Sequence, residues 1–180
     1  SGSKFVPSKY TIKLEGAKLI GYRTVSIAGA RDPIMINKID EIIEGVKEIV
    51  KDNFKSNKYD YYLDIKIYGK NAVMGELEYN PSTKNCHEIG IIIEAVANTQ
   101  EKADTICAFA RSSMLHFGYE CRKATAGNLA FPYSPSDFHG GEVYNFSVYH
   151  LMEINDNDMD EIFKIDYKII KGVDKDDQIS

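Results

Sequence analysis

Two helical patterns set among strand patterns, in the order strand, helix, strand, strand, helix, strand, limit what this chain can fold into more than any other feature. Asp32-Pro33 marks the first helix start: the carboxylate can satisfy free N–H groups, and Pro has the φ suited to the first helical position. Ile39, Ile42, Ile43, Val46, Ile49, Val50 and Phe54 then recur at helical spacing and form one apolar face. The second helix is expected after Asn98, with Glu101 three residues later completing a capping-box pattern. Its stripe is Ala103, Ile106, Cys107, Ala110, Met114 and Phe117, and Gly118 suits its end.

Four strands surround these helices. Tyr22 to Ala28 comes first. Tyr61 to Tyr68 alternates cleanly, with Leu63, Ile65 and Ile67 on one face and polar groups on the other, as suits an edge strand. Ile89 to Val96 is continuously apolar, as suits a central strand, and Val143 to Met152 alternates again. The resulting expectation is an α+β fold: a ferredoxin-like βαββαβ two-layer sandwich with both helices on one face of an antiparallel sheet. Extra strands are expected on its flanks, one at Tyr10–Leu14 ending in a turn at Gly16, the other at Phe163–Ile170. Residues 10–170 then form one domain, with 1–9 as a lead that includes the tag-like Ser1-Gly2-Ser3 and 171–180 as a frayed tail.

Between the second helix and the last core strand runs Thr125–His139, TAGNLAFPYSPSDFH. A connection of this length in a compact domain is usually functional or disordered. Leu129, Phe131, Tyr133 and Phe138 are apolar enough to hold it down, so it is expected to be ordered.

Composition excludes several classes of function. A formal charge of -5 argues against nucleic acid as a partner, since phosphate binding needs clustered Lys and Arg. No apolar run is long enough to span a bilayer. Cys86, Cys107 and Cys121 match no CxxC or Cys/His ligand spacing, so neither a zinc site nor any other metal or cofactor is expected, and a reducing, cytoplasmic setting fits. Asn155-Asp156-Asn157-Asp158 lacks the glycine and distal glutamate of an EF-hand and reads as a solvated turn.

The residues able to carry chemistry lie mostly in turns. The uncovered sheet face is expected to display Tyr62, Asp64, Lys66, Tyr68, Ile92, Glu94, Ser147 and Tyr149, as a ligand platform or as the interface of a homo-oligomer. Asn71 and Glu76 sit around a glycine turn after the edge strand and could meet a substrate amide or hydroxyl. His87 and Glu88 precede the central strand. Histidine titrates near neutrality, and this pair and His139 are the candidates for proton transfer, although adjacent strand residues point apart and contact between His87 and Glu88 is not expected. Arg111 could clamp a carboxylate or phosphate, with a carboxylate of its own fold the expected partner. Asn128, Phe131, Ser136 and Asp137 are the loop's substrate-binding candidates. Ser136, Asp137 and His139 are too close in sequence for a nucleophile–base set and lack a G-x-S-x-G elbow.

The strings Gly29-Ala30-Arg31-Asp32-Pro33, Tyr68 through Glu78, His87-Glu88-Ile89-Gly90, Ala110-Arg111-Ser112, Thr125 through Pro132 and Ser134-Pro135-Ser136-Asp137 together resemble the C-terminal part of acyclic terpene utilisation family proteins. The likeness runs from about Gly16 to Glu153. It implies a bacterial, intracellular protein connected with the breakdown of branched acids as CoA thioesters, in which a large N-terminal domain partners a chain like this one. It brings no established reaction. The functional expectation is an accessory or substrate-binding domain for an acyl-CoA or carboxylic acid. The alternative is a non-catalytic assembly module, and a third reading is a small enzyme with His87 or His139 as general base.

Overall fold

The computed structural model describes residues 2–4, 9–55, 59–79, 86–122, 127–155 and 158–170. Its elements are β1 (Thr11–Ala30), α1 (Pro33–Asn37), α2 (Ile39–Phe54), β2 (Tyr61–Tyr68), β3 (Ile89–Ala97), α3 (Gln100–His116), β4 (Asp137–Glu153) and α4 (Met159–Ile162), with a 3-10 turn at Gly75–Leu77. The fold is α+β. One open antiparallel sheet of four strands runs in the order β2-β3-β1-β4. The chain divides into two compact units, one spanning Ala17–Asn145 and the other comprising residues up to Gly16 and from Phe146 onward.

In the larger unit, β3 is the hub. It pairs antiparallel with β1 from Tyr22↔Ala97 to Ala30↔Ile89 and with β2 from Tyr61↔Ala97 to Tyr68↔Gly90. One face of this sheet, with Ile65, Ile67, Ile91, Ile93 and Ala95, is buried against α2 and α3. Alternation on β2 and a continuous apolar run on β3 thus mark an edge strand and a central one, as their patterns predict. From α2 the core takes Ile39, Ile42, Ile43, Val46, Val50 and Phe54; from α3 it takes Ala103, Ile106, Cys107, Ala110 and Met114. Burial pushes the Cys107 thiol up to about 12, which makes it an inert packing group. Ile49 lies on the rim and is exposed.

Local chemistry shifts several boundaries. Asp32 does cap α1, accepting from Ile34 N at 3.0 Å. The single helix expected there is two, because Lys38 (φ -100, ψ 11) shares its N–H between Ile34 O and Met35 O at 3.1 Å each before α2 begins. The cap of α3 is Thr99, which accepts from Lys102 N at 3.3 Å; Asn98 receives the Lys102 ammonium at 3.0 Å instead, so the capping box does not form. Gly16 makes no turn, since β1 runs straight through it. A Cβ at Gly16 would come within 3.3 Å of Val148 Cβ, so close cross-strand approach accounts for the glycine.

In the smaller unit, the start of β1 meets the end of β4. Ile154 N donates to Tyr10 O at 3.1 Å, and Lys9 pairs with Glu153 at 2.6 Å. Phe163–Ile170 forms no strand and is exposed throughout: alternation alone does not make a strand where the apolar side chains find no face to bury against. Asn155 and Asp158 close a turn on each other; Asp156 and Asn157, like the tail from 171 on, lie outside the described residues. Among the described residues, no helix is long and apolar enough to cross a membrane.

The open face of the larger unit carries charges that neutralise one another. Arg23 Nε donates to Glu94 Oε1 at 2.5 Å, Lys66 Nζ donates to Glu94 Oε2 at 2.7 Å, and Lys66 also stands 3.0 Å from Asp64. Burial works to raise the Glu94 carboxyl, but the bonds from Lys66 and Arg23 outweigh it and hold it below the usual carboxylate range. The core dictates stability far more than this face does. Ile93→Ala, at a fully buried site, should lower unfolding free energy by about 2–5 kcal/mol in urea titration. Tyr62→Ala, on the exposed face, should cost less than about 1 kcal/mol.

Candidate functional site

At one end of the sheet in the larger unit, β1 finishes, β2 finishes and β3 begins, and a cavity of about 740 Å³ opens there. It is lined by Ala28 to Arg31, Tyr68, Gly69, Glu88 to Gly90 and Ala130 to Pro132. Its existence follows from residue size. Gly29 on β1 faces Gly90 on β3, and Gly90 faces Tyr68 on β2, so two adjacent positions on the open face carry no side chain. Added Cβ atoms would meet nothing nearer than 3.6 Å at Gly29 and 3.5 Å at Gly90, so the recess is empty by composition rather than by steric demand. Gly69 (φ +92) then turns the chain sharply away after Tyr68, in a conformation that suits glycine.

The wall opposite Tyr68 is the long loop, and it is pinned. Gly29 N donates to Ala130 O and Ala130 N to Gly29 O, both at 2.8 Å. Asn128 closes the end of α3, with N donating to Leu115 O and Nδ2 to Phe117 O, each at 2.9 Å. Ser26, almost wholly buried, donates to Ser136 O at 3.1 Å, and Tyr133 meets Phe138 edge-on at 5.5 Å between centroids. The expected ordered loop is therefore present from 127 to 136. Residues 123–126 lie outside the described residues, and 137 to 139 already belong to β4.

Two charged side chains line the cavity, and both are exposed. Glu88 lies on the β3 side. Arg31 borders this cavity and a second one of about 480 Å³ that it shares with Pro33, Ile36, Asn37, Cys86 and His87. Cys86 donates through Sγ to Gly69 O at 2.9 Å between the two. Contrary to expectation, His87 and Glu88 do approach each other, with Nε2 and Oε2 at 4.0 Å, because both residues precede β3 rather than lying in it.

A polar seam runs beneath α3. Asp104 accepts from the fully buried Thr24 hydroxyl at 2.5 Å and from Gln100 Nε2 at 3.0 Å, and its other oxygen lies 3.0 Å from His139 Nε2. Arg111 Nε donates to Asp137 Oδ1 at 2.8 Å, and its guanidinium lies 5.7 Å from the Phe131 ring centroid. Arg111 is thus paired within its own fold and props Phe131 toward the cavity. Ser136 Oγ reaches Asp137 at 3.5 Å, while His139 is committed to Asp104, so these three residues are not arranged as a nucleophile and its base.

Of the candidates read from sequence, the cavity gathers Glu88 and Phe131, with His87 just beyond Arg31. Asn71 and Glu76 are exposed on the turn after β2, Asn71 beside a separate cavity of about 280 Å³. Asn128 fronts another recess of about 420 Å³, where Tyr119 donates to Asp32 Oδ2 at 2.6 Å; burial and that bond push the Tyr119 hydroxyl up to about 12. Asn128, Ser136 and Asp137 hold the loop in place, and Arg111 braces Asp137. Sequence reasoning passed over Arg31, Gly29 and Gly90 as site residues, and placed Tyr68 only on the broader open-face platform. The available signal was a glycine inside each of two strands rich in larger residues, a common mark of close approach by a ligand. Among the described residues, no group of three His, Cys, Asp or Glu side chains is placed to hold a metal.

No family model, curated protein or solved structure matches this chain.

The seam yields a pH signature. Burial works to raise the Asp104 carboxyl, yet bonds from Thr24, Gln100 and His139 hold it below its ordinary value of 3.8. Its contribution to stability is complete above that value and is lost as pH falls through the depressed one. Asp104→Asn should therefore be less stable than the parent at neutral pH, and the urea midpoints of the two should converge as pH falls below the ordinary carboxylate value of 3.8. A gap independent of pH would show that the Asp104 charge is not what these donors hold.

Proposed function

We propose that this chain is the substrate-binding, C-terminal accessory domain of a cytoplasmic bacterial metabolic protein of the acyclic terpene utilisation family, and that it takes a branched carboxylic acid or its CoA thioester at the sheet-end cleft. One observation carries the reading. Gly29-Ala30-Arg31, Tyr68-Gly69, Glu88-Ile89-Gly90 and Ala130-Phe131-Pro132 belong to four separate strings of the family resemblance, and all four line a single cavity. About 740 Å³ falls in the range of small-ligand sites, and an apolar lining with few polar groups is the usual composition of such sites. The βαββαβ element order and the strand order β2-β3-β1-β4 support the ferredoxin-like assignment within the α+β class.

A second reading, a non-catalytic assembly module that docks an N-terminal domain or another copy of the chain, draws on the open sheet face. There Tyr62, Tyr68 and Ile27 are exposed around the mutually neutralised Arg23, Glu94, Lys66 and Asp64. A neutral patch can meet its own copy without like-charge repulsion.

A cavity-filling substitution tests the first reading. Gly90→Leu places a side chain in the recess, where its Cβ has ordinary contact with Tyr68. It should leave the unfolding free energy from urea titration within about 0.5 kcal/mol of the parent. Calorimetric titration with a panel of branched acids and acyl-CoAs should show binding by the parent and at least about a tenfold loss in the variant. Absence of binding across the panel would leave the assembly reading in possession of the fold.

A further inference from the structure

Three other arginines are occupied within the fold. Arg23 is held by Glu94, Arg111 by Asp137, and Arg122 by the carbonyls of His116 and Phe117. Arg31 is the exception: among the described residues, no hydrogen bond or ion pair engages it, although it borders two cavities in a chain with an excess of acidic side chains. The guanidinium offers five donors in a planar fork that matches a carboxylate. Within the same cavity stands Glu88, whose carboxylate has the His87 imidazole at 4.0 Å and no basic side chain closer among the described residues. Opposite charges that line one apolar recess without neutralising each other leave a positive and a negative pole for a ligand to bridge.

We propose that the cleft selects a small carboxylate bearing a hydroxyl or ammonium donor, with the carboxylate on Arg31, the donor on Glu88, and the aliphatic part over the Gly29–Gly90 floor between Tyr68 and Phe131. This rests on the substrate-binding reading and names the ligand class. A plain acid satisfies one pole only. A dicarboxylate sets its second charge against Glu88, and like charges at close range are a strong basis for rejection. Because both poles are solvent-exposed, binding weakens as ionic strength rises.

The test is calorimetric titration of the chain with isovalerate, its α-hydroxy and β-hydroxy derivatives, and valine. At least one donor-bearing acid should bind about tenfold more tightly than isovalerate, the scale of one charge-assisted hydrogen bond. Arg31→Gln should weaken every member about tenfold, with partial recovery in Arg31→Lys, which keeps the charge and loses the fork. Glu88→Gln should erase the advantage of the donor-bearing acids and leave isovalerate unchanged. Both side chains are exposed, so folding should be unaffected, and matching urea midpoints verify it. Equal affinity for all four compounds, or a Glu88→Gln loss spread evenly over them, overturns the two-pole proposal. If acids bind, Gly90→Leu abolishes binding and neither charge matters, the two-pole proposal falls while the substrate-binding reading stands. If no acid or thioester binds, both fall.

Discussion

The backbone pairing of Gly29 with Ala130 is the constraint on which the rest of the site depends. Two bonds of 2.8 Å tie a loop to the last turns of the central sheet, and each contributes on the order of 1 kcal/mol net. That is modest, but the geometry is decisive: Ala130 to Pro132 become one wall of the cavity, and Phe131 is held against the core with Arg111 over its ring. Asn128 at the end of α3 and Ser26 beneath Ser136 fix the same segment on either side. Released at Gly29, the loop would leave only a bare sheet end.

The two faces of the larger unit divide the work. On the covered face, isoleucines of β2 and β3 pack against α2 and α3, and the few polar groups admitted there, Thr24 and Ser26, are both hydrogen-bonded. On the open face, charge is balanced locally, with Glu94 shared between Arg23 and Lys66. Beside the bonded groups of these two faces, an arginine that no described residue engages and a carboxylate at the sheet end stand out as chemistry that the fold does not need for itself.

The sequence was informative wherever periodicity decides structure. Tyr61–Tyr68 and the Ile-rich β3 were legible to the residue or nearly so, because burial of one face or of both imposes distinct patterns. It was less informative where a single residue carries two meanings. Gly16 suggested a turn and instead allows close strand approach; Phe163–Ile170 alternates like a strand yet forms none and lies exposed. The importance of the long loop was legible from its aromatic content, but its polar residues mostly serve to hold it down. Gly29, Gly90 and Arg31 form the cavity only through register, which places residues far apart in sequence side by side, and no local pattern carries that information.

Amide hydrogen exchange at Gly29 and Ala130 tests the pinned loop most directly. If the pairing holds, both amides are protected to the level of the β1–β3 ladder, and protection of Ala130 persists as long as that of Gly29. Exchange of the Ala130 amide at the rate of an unstructured loop, with β3 still protected, would contradict the account and leave the cleft without its second wall.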